Sequence, residues 1–276
     1  MTRETGPGSA RNGTRDGGTT AAVAASGIAR RFGHRWALRG VSLRVEPGEV
    51  AGLVGHNGSG KTTLLRVLAT TLRPTRGGGE VFGFDLVRDA GRIRELVAVL
   101  GHAPGLYGDL TARENLEFAL RMCGRTPDKR EVDEALDTVG LAAEADELVR
   151  TFSAGMQRRL ALGRVLLRRP RLILLDEPYA AFDADGIARV NEILTQHKAA
   201  GNAAIVATHD PDRAAPVVDR FWAIARGRIL ESAPPGLPGA GEDPAGTGGV
   251  AGRIQADEAD AAAPAMPAAV AERAVR

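Results

Sequence analysis

Short apolar runs alternate along the chain with stretches of helical periodicity. Residues 50–54, 172–175 and 203–207 are apolar runs bounded by polar or turn residues, which indicates buried strands. Between them, apolar residues recur at helical spacing over residues 132–139, and residues 111–114 form a capping box that opens another helix. This alternation predicts an α/β fold with a largely parallel sheet and helices on its faces. Ligands of such folds bind at the carboxyl ends of the strands.

Composition narrows the class of protein further. The 276 residues contain 36 Lys and Arg against 34 Asp and Glu, so the chain is no polycation, and 43% hydrophobic residues allow a real core. No apolar run reaches the ~18 residues that cross a bilayer, and residues 1–30 lack the apolar stretch of a signal peptide. We therefore expect a cytosolic protein that meets a membrane only through a partner. The single cysteine, Cys123, is predicted to be a core residue on an apolar helix face.

The two ends of the chain differ in composition from its middle. Residues 1–24 carry almost no large apolar side chain and are predicted to be a disordered lead-in. Residues 232–276 are rich in Ala, Pro and Gly and contain no aromatic residue, which predicts a flexible tail. The folded domain is therefore predicted to span residues 25–231.

A glycine-rich loop follows the first strand and precedes an apolar helix. It matches the pattern G-x-x-x-x-G-K-[ST] in the strand–loop–helix context that this motif requires. Glycines let backbone N–H groups point inward at phosphates, and the helix N-terminus favours negative charge. Lys61 is expected to reach the β- and γ-phosphates, and the Thr62 hydroxyl to bind Mg²⁺. The predicted nucleotide-binding loop comprises Gly55, His56, Asn57, Gly58, Ser59, Gly60, Lys61, Thr62 and Thr63.

Two acidic residues stand at the carboxyl end of a second strand. Asp176 and Glu177 directly follow the apolar run 172–175. A hydrolytic site needs a carboxylate to hold the metal and a base to orient water. We predict that Asp176 holds Mg²⁺ and that Glu177 aligns and deprotonates the attacking water.

The remaining motifs resemble those of the ATP-binding cassette (ABC) ATPases. Residues 152–157, Phe-Ser-Ala-Gly-Met-Gln, are similar to the family's signature motif, and His209 stands where the family has its switch histidine. Residues 181–183 match the loop that meets the opposite subunit, and Phe32 stands where an aromatic ring stacks on adenine. The resemblance covers residues 25–231. It implies a P-loop NTPase fold with a mainly parallel core, an antiparallel β subdomain and a helical subdomain.

The resemblance also implies a mechanism and a partner. It implies an ATPase that uses ATP and Mg²⁺ and forms a head-to-tail dimer with a second copy when ATP binds. Ser153 and Gly155 would then contact the γ-phosphate held by the partner chain, as the helix N-terminus there allows. His209 would bridge the γ-phosphate and the attacking water. Gln157 and Asp183 complete the nucleotide-contacting residues that the family's motifs imply.

Two departures from the family's pattern affect these assignments. The position usually held by Gln is His102, whose imidazole can still donate to or accept from a metal-bound water. Ala154 and Met156 replace glycines that are common in the signature motif. Since Ser153 and Gly155 are retained, we expect activity to survive.

Local stretches resemble one subgroup of the family, the ATP-binding subunit of the haem exporter of cytochrome c maturation. They are residues 100–104, 110–116, 179–189 and 196–201. The resemblance implies separate integral membrane permease subunits and a peripheral place on the cytoplasmic face of the membrane. A generic multidrug, lipid or polysaccharide efflux ATPase stays open as the alternative, because the substrate's chemistry resides in the membrane subunit.

A soluble cassette ATPase that acts on nucleic acid or the ribosome is the rival from another class. Its footprint would be an arginine cluster on the signature helix and beyond. The cluster lacks interleaved aromatic residues, and we expect it to be a solvated face with no nucleic-acid partner. It consists of Arg158, Arg159, Arg164, Arg168, Arg169 and Arg171.

Overall fold

The computed structural model describes residues 20–233, with side chains to residue 230. Ten strands lie within this range. They are β1 (Val23–Phe32), β2 (Arg35–Val45), β3 (Val50–Val54), β4 (Arg76–Val81), β5 (Phe84–Asp85), β6 (Val97–Leu100), β7 (Leu172–Asp176), β8 (Ala203–Thr208), β9 (Arg220–Ala225) and β10 (Arg228–Ala233).

Seven α-helices and one 3₁₀ turn separate the strands over the same range. The capping box at Thr111 and Glu114 opens α3 as predicted, because each side chain accepts from the other's backbone N–H. The helices are α1 (Lys61–Leu68), α2 (Ala90–Leu96), α3 (Ala112–Met122), α4 (Lys129–Thr138), α5 (Ala154–Leu166), α6 (Ala184–Ala199) and α7 (Pro211–Ala214), and the 3₁₀ turn is Val149–Thr151.

The strands form two sheets. The smaller is antiparallel, in the order β2-β1-β4-β5, and the larger follows the order β10-β9-β3-β8-β7-β6. In the larger sheet all pairs from β9 to β6 are parallel, and only β10 runs antiparallel. The helices α3, α4 and α5 pack on one another between β6 and β7 in sequence. This arrangement confirms the predicted fold class, including the antiparallel and helical subdomains.

Two hydrophobic clusters hold these layers together. One joins the antiparallel sheet and α1 to one face of the large sheet, with Ile28, Leu64 and Leu174 among its buried members. The other packs the helical segment and α6 on the opposite face, with Leu116 and Leu175 among its members. Because successive side chains of β7 point to opposite faces, Leu174 and Leu175 anchor different clusters.

The strands extend beyond the predicted domain limits at both ends. β1 begins at Val23, which pairs with Val45 and Val81 and is fully buried, so the predicted lead-in of residues 1–24 ends too late. β10 continues to Ala233 because main-chain pairing with Phe221 requires no bulky side chain. Residues 1–19 of the predicted lead-in and residues 234–276 of the predicted tail lie outside the described residues.

Cys123 is exposed, which corrects its predicted place in the core. The residue caps the carboxyl end of α3, and the neighbouring Met122 is 71% exposed. The apolar stripe of the helix ends one turn earlier, at Leu120. Within the described residues, no helix is both long and apolar enough to span a membrane.

Gly77 tests how tightly β1 and β4, the two central strands of the antiparallel sheet, pack against each other. Its φ is +72°, and a Cβ at this position would lie 2.1 Å from the carbonyl oxygen of Gly27. We expect Gly77→Ala to lower the free energy of unfolding by about 1–3 kcal/mol, because backbone cannot yield to the methyl group. Gly91→Ala is the matched control, since its Cβ meets nothing within 4 Å in α2. Equal urea midpoints for the two variants would contradict the packing described.

Candidate nucleotide-binding and hydrolysis site

The predicted phosphate loop connects β3, in the middle of the large sheet, to the amino end of α1. The loop is packed from behind at Gly55 and Gly60, where a larger residue would collide with main-chain atoms. A Cβ at Gly55 would lie 2.2 Å from the carbonyl oxygen of Ile224, and one at Gly60 would lie 2.8 Å from that of Ala37. Gly60 also has a φ of +117°, a conformation that side chains disfavour. The loop is therefore held against β2 and β9 with its open side at the carboxyl edge of the sheet.

The other loop residues divide into a rim and a floor. His56, Asn57 and Gly58 are exposed at the rim. Ser59 is buried, its Oγ has no hydrogen-bond partner, and its carbonyl oxygen accepts from Gly227. Thr63 is half-buried in the first turn of α1.

Lys61 places a buried positive charge at the start of α1. It is 5% exposed, and its Nζ donates to the carbonyl oxygen of Gly55 at 2.5 Å. The same Nζ lies 3.3 Å from Oε1 of Glu177 as an ion pair. An ammonium group in so dry a place interacts strongly with any anion that reaches it.

Thr62 and Asp176 meet across the gap between α1 and β7. The Thr62 hydroxyl donates to Oδ2 of Asp176 at 2.7 Å, and Asp176 is only 4% exposed. A hydroxyl and a carboxylate are hard oxygen donors, the kind that Mg²⁺ prefers. The pair therefore has the chemistry of the predicted metal site, although the sequence separates the two residues by more than a hundred positions.

Glu177 is held in a strained conformation at the end of β7. Its φ is +52°, in the left-handed region, which costs about 1–3 kcal/mol for a residue with a side chain. Its backbone N–H donates to the carbonyl oxygen of Ala207 at 2.8 Å, which fixes the turn against β8. Its Oε1 is buried and accepts no hydrogen bond. The Lys61 ammonium group, 3.3 Å away, balances its charge, and the oxygen keeps the capacity to accept a hydrogen bond from water.

His209 faces the second oxygen of this carboxylate. Its Nδ1 lies 2.9 Å from Oε2 of Glu177, and its backbone N–H donates to the same oxygen at 3.3 Å. Because an ionised carboxylate only accepts, Nδ1 carries the hydrogen in this pair. The side chain of His209 is 64% exposed and follows directly after β8.

His102 lies on the neighbouring loop, two residues beyond β6. The register places Leu100 opposite Leu175, so the loop starts beside the strand end that carries Asp176. Its side chain is exposed, and its carbonyl oxygen accepts from Arg158 at 3.1 Å. The loop is thus near the acidic pair.

The signature residues have contacts of their own at the start of α5. Ser153 caps the helix by accepting from the backbone N–H of Met156 at 3.2 Å, and Gln157 donates to the carbonyl oxygen of Phe152 at 3.3 Å. A Cβ at Gly155 would lie 3.0 Å from the carbonyl oxygen of Ala181, so no larger residue fits there without adjustment.

Asp183 and Phe32 complete the predicted set. Asp183 caps α6 by accepting from the backbone N–H of Gly186 at 2.9 Å. Phe32 ends β1 with 49% of its surface exposed, and the guanidinium of Arg30 lies 4.8 Å from its ring centroid. Within residues 20–233, no hydrogen bond or ion pair joins Ser153, Gly155 or Asp183 to the phosphate loop. The structure brings together one half of the predicted site and leaves the signature residues apart from it.

The arginine cluster is a solvated face only in part, which corrects its interpretation. Arg168, Arg169 and Arg171 are exposed, whereas the other three are buried or half-buried. Five of its six members donate to or pair with other parts of the chain, and the sixth, Arg171, lies over the ring of Phe82. Arg158 is the most buried, at 6% exposed. In the sequence, Arg158 stands at helical spacing from Ala161, Leu162 and Val165. Because a single charge on an apolar helix face needs a partner, this spacing could have predicted its buried contacts. The contacts are Arg158 to residues 101, 102, 176 and 177, Arg159 to Gly140, Arg164 to Pro104 and Gly105, Arg168 to Arg94, and Arg169 to Glu131.

A second network near the site was also missed. The Tyr179 hydroxyl donates to Oδ1 of Asn191 at 2.7 Å, and Asn191 donates to the carbonyl oxygen of Arg213 at 2.9 Å. Arg213 returns to the carbonyl oxygen of Tyr179 at 3.3 Å and pairs with Asp210 at 2.7 Å. Burial raises the pKa of the Tyr179 phenol, so it stays a donor. The network ties the loop after Glu177 to the segment after His209.

Comparison with known proteins identifies the family. The family model described as ABC transporter matches residues 38–180. The chain belongs to the ABC transporter family. A cytochrome c biogenesis ATP-binding export protein, CcmA, from Bordetella bronchiseptica is 45% identical over 189 residues, which cover 68% of this chain and 83% of the relative. The daunorubicin resistance ATP-binding protein DrrA3 from Streptomyces coeruleorubidus is 37% identical, over 76% of this chain and 67% of the relative.

A solved structure supports the same fold. The ABC subunit cbiO1 from Clostridium perfringens, part of the transporter complex cbiONQ, superposes with a TM-score of 0.69 at 24% identity, over 78% of this chain and 89% of that one. The family membership and the relatives show that this chain is the ATP-binding and ATP-hydrolysing subunit of an ABC transporter.

Lys61 tests the phosphate loop. We expect Lys61→Ala to weaken ATP binding about 10- to 150-fold, because a hydrogen bond to a charged group contributes ~1.5–3 kcal/mol. Titration with ATP under non-hydrolysing conditions measures the change. Lys198→Ala is the matched control, since Lys198 pairs with Asp219, whose carboxylate accepts from the backbone of Val50 at the far end of β3. Equal affinity in both variants would remove Lys61 from the site.

Proposed function

We propose that this ABC ATPase powers haem export for cytochrome c maturation through separate membrane permease subunits. The observation that carries the proposal is its 45% identity to the CcmA export protein over most of that relative's length. Residues 100–104 support it further. This stretch resembles the haem-exporter subgroup, and the resemblance includes His102 at the position where the general family pattern has Gln. The chain would then act at the cytoplasmic face of the membrane.

The site residues divide the chemical work among them. Lys61 and the backbone of residues 55–60 bind the β- and γ-phosphates, and Thr62 and Asp176 hold Mg²⁺, which neutralises phosphate charge when bound. Glu177 takes a proton from the attacking water. His209 orients that water through its bond to the Glu177 carboxylate. The observation in support is that one oxygen of Glu177 is bonded to His209, whereas the other is buried beside the Lys61 ammonium group and accepts no hydrogen bond.

A second copy of the chain supplies the remaining contacts in this proposal. The exposed Ser153 and the half-buried Gly155 stand at the amino end of α5, where backbone N–H groups and the helix dipole favour an anion. In a head-to-tail dimer this end meets the γ-phosphate bound by the other copy. Asp183 and Gln157 stabilise the two loops that surround it, and Phe32 stacks on the adenine ring.

Drug export is the second candidate. The daunorubicin resistance relative supports it, at lower identity but over a larger share of this chain. Both candidates use the same ATPase chemistry, because the cargo is recognised by the membrane subunits. Only an assay of cargo separates them.

Glu177 tests the catalytic assignment and the dimer together. We expect Glu177→Gln to lower turnover at least about 100-fold, since a general base contributes ~10²–10⁴-fold. The amide cannot accept the proton, so ATP persists and the dimer should accumulate on size-exclusion chromatography with ATP. Glu192→Gln is the control, because Glu192 is exposed on α6. Turnover at the parent rate in Glu177→Gln would exclude Glu177 as the base.

Deletion of the gene tests the cargo. We expect covalently bound haem in membrane c-type cytochromes to disappear, and the parent chain and Lys198→Ala to restore it where Lys61→Ala does not. Haem staining of membrane proteins after electrophoresis is the measurement, and drug susceptibility is measured in the same strains. If the c-type cytochromes persist and the deletion strain is drug-sensitive, drug export replaces haem export as the proposed function.

A further inference from the structure

The guanidinium of Arg158 is buried between two loops of the site. Its Nη1 donates to the carbonyl oxygens of Gly101 at 2.5 Å and His102 at 3.1 Å, just after β6. Its Nη2 donates to the carbonyl oxygens of Asp176 at 2.5 Å and Glu177 at 2.9 Å, at the end of β7. One side chain of α5 therefore binds the main chain of both loops, including that of Glu177 itself.

This arrangement is costly, which indicates a role beyond packing. Burial lowers the pKa of Arg158, and the nearby charges of Asp176 and Glu177 oppose that shift. Its Nε has no hydrogen-bond partner, and its other nitrogens donate to neutral carbonyl oxygens. An apolar side chain would fill the same volume without desolvating a charge. Only the planar fork of arginine carries separate nitrogens to two segments at once.

The contact also holds the strained turn at Glu177. The left-handed backbone of Glu177 is fixed on one side by its N–H bond to Ala207 and on the other by its carbonyl bond to Arg158. Arg158 lies on the same helix as Ser153 and Gly155, five and three residues earlier. Because a helix moves as a rigid element, displacement of its amino end shifts the guanidinium and both loops with it.

We propose that Arg158 is a positioning residue that couples the signature end of α5 to the backbone of His102 and Glu177. A phosphate that docks at Ser153 and Gly155 would thereby set the orientation of the Glu177 carboxylate. The inference rests on the role of Glu177 proposed above. It leaves nucleotide binding to Lys61 and Thr62, which Arg158 does not contact within the described residues.

The test separates positioning from packing through a split between kcat and KM. We expect Arg158→Gln to lower kcat about 10- to 100-fold, since misplacing a catalytic group by about 1 Å costs up to ~10²-fold, with KM for ATP within about twofold of the parent. Arg158→Lys keeps the charge but loses the planar fork of the guanidinium, so its kcat should lie between that of the parent and that of Arg158→Gln. Arg168→Lys is the control, because Arg168 is exposed and lies two residues beyond the carboxyl end of α5.

Hydrogen exchange read by mass spectrometry keeps the test decisive if Arg158→Gln folds poorly. In Arg158→Lys, exchange should rise in residues 100–104 and 176–180 together, and remain unchanged in residues 55–68. A rise throughout the chain, a kcat equal to the parent's, or a loss of ATP affinity in step with kcat would overturn the inference. Glu177→Gln is assayed in parallel: if it retains turnover, the base assignment fails, whereas loss there with full activity in Arg158→Gln defeats only the role of Arg158.

Discussion

The parallel pairing of β3, β8, β7 and β6 is the constraint on which the site depends. Parallel strands end at one edge of a sheet, so the loops that follow them share that edge whatever their distance in sequence. Val54 lies opposite Thr208, and Asp176 lies opposite Ala207. The phosphate loop, the acidic pair, His209 and the His102 loop are neighbours for this reason.

Buried charge is the second feature that shapes the site. Lys61, Asp176 and Arg158 are each less than a tenth exposed, and they lie within one connected set of polar contacts with Glu177. In so dry an environment each interaction is stronger than in water, and each unpaired group is more costly. The set is therefore rigid, as its proposed role of holding a reacting water and a phosphate in place requires.

Main-chain carbonyl oxygens, rather than carboxylates, bind most of the arginines of α5. Arg158, Arg159 and Arg164 all donate to main-chain carbonyl oxygens outside the helix. Arg168, two residues beyond the end of α5, donates to the carbonyl oxygen of Arg94 in α2. These hydrogen bonds connect α5 to the segments around it, so a displacement of α5 also displaces those segments. The second network, through Tyr179 and Arg213, ties the loop after Glu177 to the segment after His209 in the same way.

The sequence by itself determined the three buried strands β3, β7 and β8, the phosphate loop and the acidic pair, because each depends on a local pattern of apolar, glycine and charged residues. It also determined the α3 capping box, which involves only Thr111 and Glu114. Only the tertiary structure decided that Thr62 meets Asp176, that Glu177 adopts a left-handed turn, and that Cys123 is exposed. The role of Arg158 belongs to the same group. An arginine that binds carbonyl oxygens is not marked by any partner residue type, because every residue has a carbonyl, and only the folded chain shows which ones it reaches.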